Sequence, residues 1–291
     1  MNAEIVDLTT ISRGFPQSPV PEILRDNLLE TLDVIFNGDT SLIIVEGAEG
    51  MGKTTLLAQY ARRYPNQAIS LFLRPISRLA YAPEYLSLVL LEQINWALTG
   101  NVPGADTPDS SHLAAQLFGL QKKALKTRTP FYFIVDGLDD IPSDDARSLE
   151  AILTDLLPLG LSGFRFLMTG NATRLTPVLH RKVPLKPFQI PMLTLGETLK
   201  YLDGLGLEAD AATDLHRMCK AVPGHLAITR RILLAGNSVQ SILEEDPDNL
   251  PDFLAIEWRC VAGADPFQRQ LLAVVAYGRR PYATAELAEI L

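Results

Sequence analysis

Cysteine is scarce in this chain: Cys219 and Cys260 are the two that occur among its 291 residues. Two cysteines so far apart form neither a disulfide framework nor the paired spacing of a zinc site. No Ser/His/Asp arrangement stands out either. The sequence therefore argues against a disulfide-stapled secreted scaffold and predicts a cytoplasmic protein kept in reduced form.

The chain also lacks a long hydrophobic run. Its first residues, Met1–Asp7, are acidic and carry no apolar core of signal-peptide length. The most apolar later windows are interrupted by Asp155, Pro158, Gly160 and Arg165, so none is continuous enough for a transmembrane helix. We therefore expect no membrane partner.

Positive charge is in deficit, since 26 Lys and Arg residues face 34 Asp and Glu residues, a formal net charge of −8. Such a balance makes nucleic acid an unlikely main partner, although a local basic patch remains open. A hydrophobic share of 47% is ordinary for a globular chain that builds a full core. The length suffices for two domains.

The most informative motif is G-A-E-G-M-G-K-T at residues 47–54, which follows the apolar run Ser41–Val45 and precedes the helix former Thr55–Ala61. This strand–loop–helix context is what the phosphate-binding pattern G-x-x-x-x-G-K-[ST] needs. Its glycines let backbone N–H groups turn around a phosphate at a helix N-terminus. Lys53 is predicted to act on the β and γ phosphates, and Thr54 to ligate Mg²⁺. The predicted nucleotide contacts of this loop are Gly47, Glu49, Gly50, Met51, Gly52, Lys53, Thr54 and Thr55.

A second motif follows the apolar run Phe131–Val135, which is typical of a buried parallel strand. It delivers Asp136 to the carboxyl end of that strand, where parallel sheets present ligands. Two further aspartates follow within four residues, more than a solvated turn requires. Asp136 is therefore predicted to hold Mg²⁺ opposite Thr54.

Strands alternate with helices up to about residue 194, the pattern of a parallel α/β sheet. A helix is predicted over about 144–157 and a short extended piece over 188–193. The pattern then changes to helices only. We predict an irregular segment 1–21, a P-loop NTPase domain 22–194, a helical lid domain 195–248 and a partial unit 249–291. The chain stops inside an amphipathic helical pattern, which indicates a fragment of a longer protein.

The wording of the second motif, Asp136-Gly137-Leu138-Asp139-Asp140, resembles the Walker B motif of the NACHT/NB-ARC-like branch of the STAND class of P-loop NTPases. The resemblance implies that a late acidic residue polarises the attacking water. Asp140 stands at that position and Asp139 is the second candidate. Because family members usually carry the longer Glu there, slow hydrolysis is expected.

Other segments support the resemblance in order. Phe15-Pro16-Gln17 stands where the family has an aromatic motif near the base, without its usual Gly-Arg. Asn171 stands where the sensor strand usually ends in Arg, so it or Arg174 is expected at the γ-phosphate. Pro223 stands in the proline motif of the helical domain, near base and β-phosphate, although Ala221 replaces the motif's Gly. Residues from Trp258 onward look like the start of a winged helix.

The resemblance implies a signalling switch that rests with ADP, oligomerises with ATP and Mg²⁺, and resets by hydrolysis, in bacteria often in anti-phage defence or regulation. Effector and sensor domains would lie outside the chain. Adenine is expected from the resemblance, and no guanine-specific N-K-x-D string occurs. Two alternatives remain open: a DNA-associated ATPase of the AAA origin-binding kind, and a binding-only scaffold.

Overall fold

A computed structural model describes residues 7–73, 78–101, 112–179, 183–245 and 247–262. The chain divides into two compact units. The first comprises residues 1–48 and 52–190, and the second comprises 49–51 and 191–291.

Within the described residues, the first unit contains a five-stranded sheet with the order β2-β3-β4-β1-β5, and all its strands are parallel. The strands are β1 Leu42–Glu46, β2 Ala68–Phe72, β3 Phe131–Asp136, β4 Phe164–Thr169 and β5 Leu185–Gln189. Strands β1 to β4 are almost wholly buried, as expected for a parallel sheet covered on both faces. The predicted parallel α/β sheet is confirmed.

Helices precede and connect these strands. They are α1 Leu8–Ile11, α2 Asp26–Phe36, α3 Lys53–Arg63, α4 Pro83–Thr99, α5 Leu113–Thr127, α6 Ala146–Ala151 and α7 Ala172–Leu179. The start of α4 is favoured by Pro83 in its first turn, and its end by Gly100 in the left-handed conformation.

Three expectations about elements need correction. The segment 1–21 is not irregular throughout, because Asp7 caps the short helix α1 by accepting from the Thr9 and Thr10 N–H groups, and Leu8 is fully buried. The helix predicted over 144–157 is interrupted: α6 passes into a π-helical turn, Ile152–Leu156. The extended piece near 188–193 is a strand that begins earlier, at Leu185, and pairs with β1.

The strand register decides which side chains meet at the carboxyl edge of the sheet. Strand β4 lies between β1 and β3, so Val45 pairs with Thr169 while Val135 pairs with Met168. The ends of β1, β3 and β4 therefore lie side by side. Residues far apart in sequence are brought to one edge.

The second unit is helical in its described residues, with α8 Leu195–Leu202, α9 Ala209–Met218, α10 Pro223–Leu234, α11 Val239–Leu243 and α12 Leu250–Ala262. Helix α8 starts with a capping box: the Thr194 hydroxyl accepts the Glu197 N–H, and Glu197 accepts the Thr194 N–H. Leu215, Leu226 and Phe253 belong to its separate apolar core.

Helix α12 shares this core through Phe253 and Ile256. The proposed boundary between residues 248 and 249 remains a prediction, and most of the predicted winged helix, residues 263–291, lies outside the described residues. In the described part of the chain, no helix is both apolar and long enough to cross a bilayer.

Candidate nucleotide-binding site

The loop between β1 and α3 has the backbone of a phosphate cradle. Gly50 and Gly52 adopt φ angles of 78° and 84°, a region that side-chain-bearing residues rarely enter. Gly52 is also the N-cap of α3, and having no side chain it leaves the first-turn N–H groups uncapped. These free donors and the helix dipole fit a bound phosphate.

Lys53 lies inside this loop. Its ammonium donates to the carbonyl oxygens of Gly47 at 2.7 Å and Ala48 at 3.1 Å. The Lys53 charge therefore lies in the loop that leads into α3, where Gly52 provides no side-chain cap. Thr55 is half-buried in the first turn of α3, Glu49 is exposed and Met51 is buried.

Thr54 and Asp136, 82 residues apart in sequence, are brought into contact. The Thr54 hydroxyl donates to Asp136 Oδ2 at 2.7 Å, and the Thr169 hydroxyl donates to Asp136 Oδ1 at 2.8 Å. In the described residues, no group of three or more His, Cys, Asp or Glu is arranged to hold a metal. A hydroxyl and a carboxylate are oxygen donors that fit Mg²⁺, which Thr54 and Asp136 would hold beside the phosphates.

Burial raises the pKa of Asp136, and the nearby charge of Asp140 raises it further. The hydrogen bonds from Thr54 and Thr169 and the charge of Lys53 oppose that shift. Asp136 is 7% exposed, yet no salt bridge to it is found in the described part of the chain. A buried carboxylate whose hydrogen bonds, in the described residues, come from two hydroxyls is a candidate ligand for a cation.

Gly137 makes the turn after Asp136 possible. It has a φ of 87°, and a Cβ at this position would lie 2.5 Å from the Leu73 carbonyl oxygen. Its N–H donates to the Thr169 hydroxyl at 3.0 Å. Only glycine fits here, so the Asp-Gly pair is a packing requirement of the sheet edge as well as a turn.

The two further aspartates are both exposed, in a 3₁₀ turn formed by Leu138–Asp140, but their surroundings differ. Asp139 Oδ1 accepts the N–H of Asn171 at 2.7 Å. Asp140 lies close enough to Asp136 to affect its pKa. Which of the two carboxylates polarises the attacking water stays a prediction.

Asn171 and Arg174, the two candidate γ-phosphate contacts, both make local hydrogen bonds. The side-chain oxygen of Asn171 accepts the Arg174 N–H at 3.2 Å, the geometry of an N-cap. The guanidinium of Arg174 donates to the carbonyls of Asp139 at 3.2 Å and Ile141 at 2.8 Å. Their role at a γ-phosphate stays a prediction.

Phe15 packs edge-on against Phe72, with ring centroids 5.1 Å apart, and the Arg62 guanidinium lies 5.2 Å from its ring centre. Arg62 belongs to the last turn of α3, whereas the phosphate loop leads into the first turn of the same helix. Phe15 therefore packs near the opposite end of α3 from the loop. The predicted base contact of Phe15 remains a prediction.

Pro223 is the first residue of α10 in the second unit. In that unit the N–H of the following Gly224 donates to the Gly50 carbonyl at 2.8 Å. Ala221 has a φ of 56°, the left-handed region. This conformation gives a physical reason for the glycine that the family motif carries there, since Cβ makes it unfavourable.

Two residues of this edge had no assigned role in the sequence. Thr169 ends β4 and donates to Asp136, and Glu46 ends β1 and accepts the N–H of Ala172 at 2.8 Å. The available signal was a polar residue at the last position of an apolar strand. Sequence could not show that the three strand ends are neighbours.

Comparison with known proteins agrees with this geometry. Residues 22–162 match the family model of the AAA ATPase domain. The fold is similar to that of a Walker-type ATPase of Pyrococcus abyssi, with a TM-score of 0.57 and 14% identity over 96% of this chain and 91% of that one. No curated protein matches the chain.

Two looser structural matches carry no argument about function. The RuvB Holliday junction branch migration motor of Thermotoga maritima has a TM-score of 0.40 and 14% identity, over 95% of this chain and 84% of that one. The Orc1 protein of Aeropyrum pernix, solved in complex with DNA, has a TM-score of 0.42 and 14% identity, over 91% of this chain and 74% of that one. The match to the AAA ATPase domain and the geometry of the Lys53 loop and Asp136 together show that the chain contains a P-loop NTPase domain.

Proposed function

We propose that this protein is an adenine-nucleotide switch of the STAND type that hydrolyses ATP slowly with Mg²⁺. The observation that carries the ATPase part is the contact of Thr54 with Asp136 beside the Lys53 loop. The D-G-L-D-D wording of residues 136–140 supports the STAND part. The helical residues 195–248 would act as the lid domain, and 249–291 as the start of a winged helix.

In this proposal the residues position the phosphates and stabilise charge. Lys53 and the loop N–H groups hold the β and γ phosphates, while Thr54 and Asp136 bind the magnesium ion. Asp140 orients the attacking water, and its carboxylate, shorter than the usual glutamate, makes turnover slow. A magnesium ion, when bound, neutralises charge that develops on the phosphate oxygens.

Phosphate release tests the ATPase part. Lys53→Ala should lower turnover roughly 100- to 1000-fold, because a charge-stabilising donor in the site is lost. Lys122→Ala, an exposed lysine of α5, is the matched control and should retain wild-type turnover. If wild-type turnover is no faster than that of Lys53→Ala, the protein is a binding-only scaffold.

The switch part needs a separate measurement. Nucleotide released by denaturation should be near-stoichiometric ADP. Light scattering after size exclusion should then give a larger mass with a non-hydrolysable ATP analogue than with ADP, in a chain extended beyond residue 291 if one exists. Equal mass in both states would count against a STAND switch.

A DNA-associated ATPase is the second candidate, and the match of residues 22–162 to the AAA ATPase domain favours it equally. The net charge of −8 argues against it, but Lys122, Lys126 and Arg128 are exposed at one helix end. Fluorescence anisotropy with duplex DNA decides the matter. Tight binding that weakens steeply between about 50 and 200 mM salt would favour this function over the switch.

A further inference from the structure

Two carboxylates, one at the end of β1 and one in the turn after β3, hold the start of α7. Glu46, the last residue of β1, accepts the Ala172 N–H through Oε1 at 2.8 Å. Asp139, beyond the end of β3, accepts the Asn171 N–H through Oδ1 at 2.7 Å. Negative charge at a helix N-terminus is favoured by the helix dipole, so both contacts stabilise this geometry.

Further bonds hold the Glu46 carboxylate and the main chain around Asp139. The Gln189 amide of β5 donates to Glu46 Oε2 at 2.6 Å. Arg174 of α7 donates to the main-chain carbonyls of Asp139 and Ile141, which ties the turn after β3 to the helix after β4. Strands β1, β3 and β5 therefore all contribute to fixing one turn, residues 169–172.

This turn matters because it begins with Thr169, whose hydroxyl donates to Asp136. The N–H groups of Asn171 and Ala172, which an uncapped helix would offer to an anion, are already bound by protein carboxylates. The turn is thus joined by hydrogen bonds both to Asp136 and to the two carboxylates. It offers neither of these two backbone donors to a phosphate.

We propose that Glu46 and Asp139 are positioning residues that hold the turn 169–172 beside Asp136, while Asp140 keeps the water-orienting role given to it under the proposed function. This inference rests on the proposed ATP hydrolysis for its effect on turnover. The hydrogen bonds from the turn to Glu46 and Asp139 can be measured without any nucleotide. Both carboxylates act as hydrogen-bond acceptors, so a neutral amide oxygen should replace either of them.

Amide hydrogen exchange tests the hold without any nucleotide. Glu46→Ala should speed exchange at Ala172, and Asp139→Ala at Asn171, by roughly 10-fold or more, since each loses a charged acceptor. Glu46→Gln and Asp139→Asn keep an acceptor oxygen, and Gln189 can rotate its amide to suit the former. These two variants should exchange at close to the wild-type rate. Unchanged exchange in both alanine variants overturns the inference, whatever the turnover.

Turnover then tests the division of roles. The two alanine variants should lose roughly 10- to 100-fold in kcat while the Kd for ADP changes little, as is typical when a supporting partner is removed. Asp139→Asn and Glu46→Gln should restore kcat to within about threefold of wild type. Asp140→Asn should not retain kcat at this level, because the proposed water-orienting role needs the charge of the carboxylate.

The outcomes separate the two proposals. If Asp139→Asn falls as far as Asp140→Asn, the charge of Asp139 takes part in the chemistry and the positioning role is wrong. Full kcat in both alanine variants would also overturn it. A wild type no faster than Lys53→Ala refutes the ATPase instead, and amide exchange alone then decides whether the two carboxylates hold the turn.

Discussion

The two compact units differ in what their buried polar side chains contact. In the helical unit, buried polar groups pair within the core: Thr198 with His216 at 2.8 Å, and His225 with the Cys219 carbonyl at 3.1 Å. At the carboxyl edge of the sheet, buried Asp136 instead meets the hydroxyl of Thr54, an exposed residue beside the phosphate loop. The first kind of contact completes a core. The second leaves lone pairs of the carboxylate oxygens available to a ligand.

The comparison teaches that burial of a polar group does not by itself mark a functional site. His225 is 6% exposed and stacks on Phe253 with ring centroids 4.3 Å apart, as a core residue does. Asp136 is 7% exposed but carries a charge without a salt-bridge partner in the described residues. Position at the ends of parallel strands distinguishes the two cases.

The largest expected effect is on the helical core. Phe253→Ala should lower the free energy of unfolding by about 3–5 kcal/mol, because a fully buried ring is lost and a cavity remains. The chain has two tryptophans, Trp96 in α4 and Trp258 in α12. Single-tryptophan variants therefore follow the two units separately during urea unfolding.

In Phe253→Ala, the unfolding transition reported by Trp258 should move to a lower urea concentration. The transition reported by Trp96 should move less. Leu254→Ala, at an exposed position of the same helix, is the control and should shift neither much. Equal shifts of both signals would mean that the units unfold together, and the comparison would hold for function only.

The next effect concerns the sheet edge. Asp136→Asn should lower Mg²⁺-dependent turnover about 100-fold or more, because a metal contributes several kcal/mol of charge stabilisation. Its melting temperature without nucleotide should stay the same or rise, since burial disfavours the charged form of this group, as its raised pKa indicates. Phosphate release and thermal melting measure the two quantities. A variant that loses stability would place Asp136 with the structural polar groups.

The smallest effect is a pH dependence in the helical unit. Burial lowers the pKa of His225, and the charge of Lys220 lowers it further, so below about pH 6.5 the unfolded chain binds the proton more readily than the folded one. Stability should therefore be lost as the pH falls through that value and regained as it rises.

Urea midpoints of the Trp258 signal at about pH 5.5 and about pH 7.5 measure this slope around the unperturbed histidine value. His225→Gln should reduce the difference between the two midpoints, and His216→Gln serves as the control variant. The same difference in wild type and His225→Gln would show that other groups cause it.

Much of the site could be predicted where local sequence carries the geometry. The loop 47–54 and the aspartate after β3 are both short motifs that follow buried apolar strands, and the structure brings Thr54 to Asp136. The parallel sheet followed from strands that alternate with helices. Helix α4 begins at Pro83 and ends before Gly100, two residues whose backbone preferences favour these bounds.

The missed features depend on long-range packing. Helix α1 is four residues long and is held by the burial of Leu8, which no local periodicity reveals. The contact of Asp139 with the Asn171 N–H joins residues that lie 32 positions apart in the sequence. The left-handed conformation of Ala221 breaks a local rule, because a side chain is unfavourable there, and the glycine of the resembled motif was the one signal for it.

By itself, the sequence determined the chemistry that this protein has available: a glycine-rich loop, a lysine, a hydroxyl and a carboxylate at the ends of apolar strands. These depend on spacings of a few residues, which backbone geometry restricts tightly. Only the tertiary structure decided that β4 lies between β1 and β3, and so that Glu46, Asp139 and Thr169 support one edge. Strand order depends on the packing of the whole core, and no local pattern encodes it.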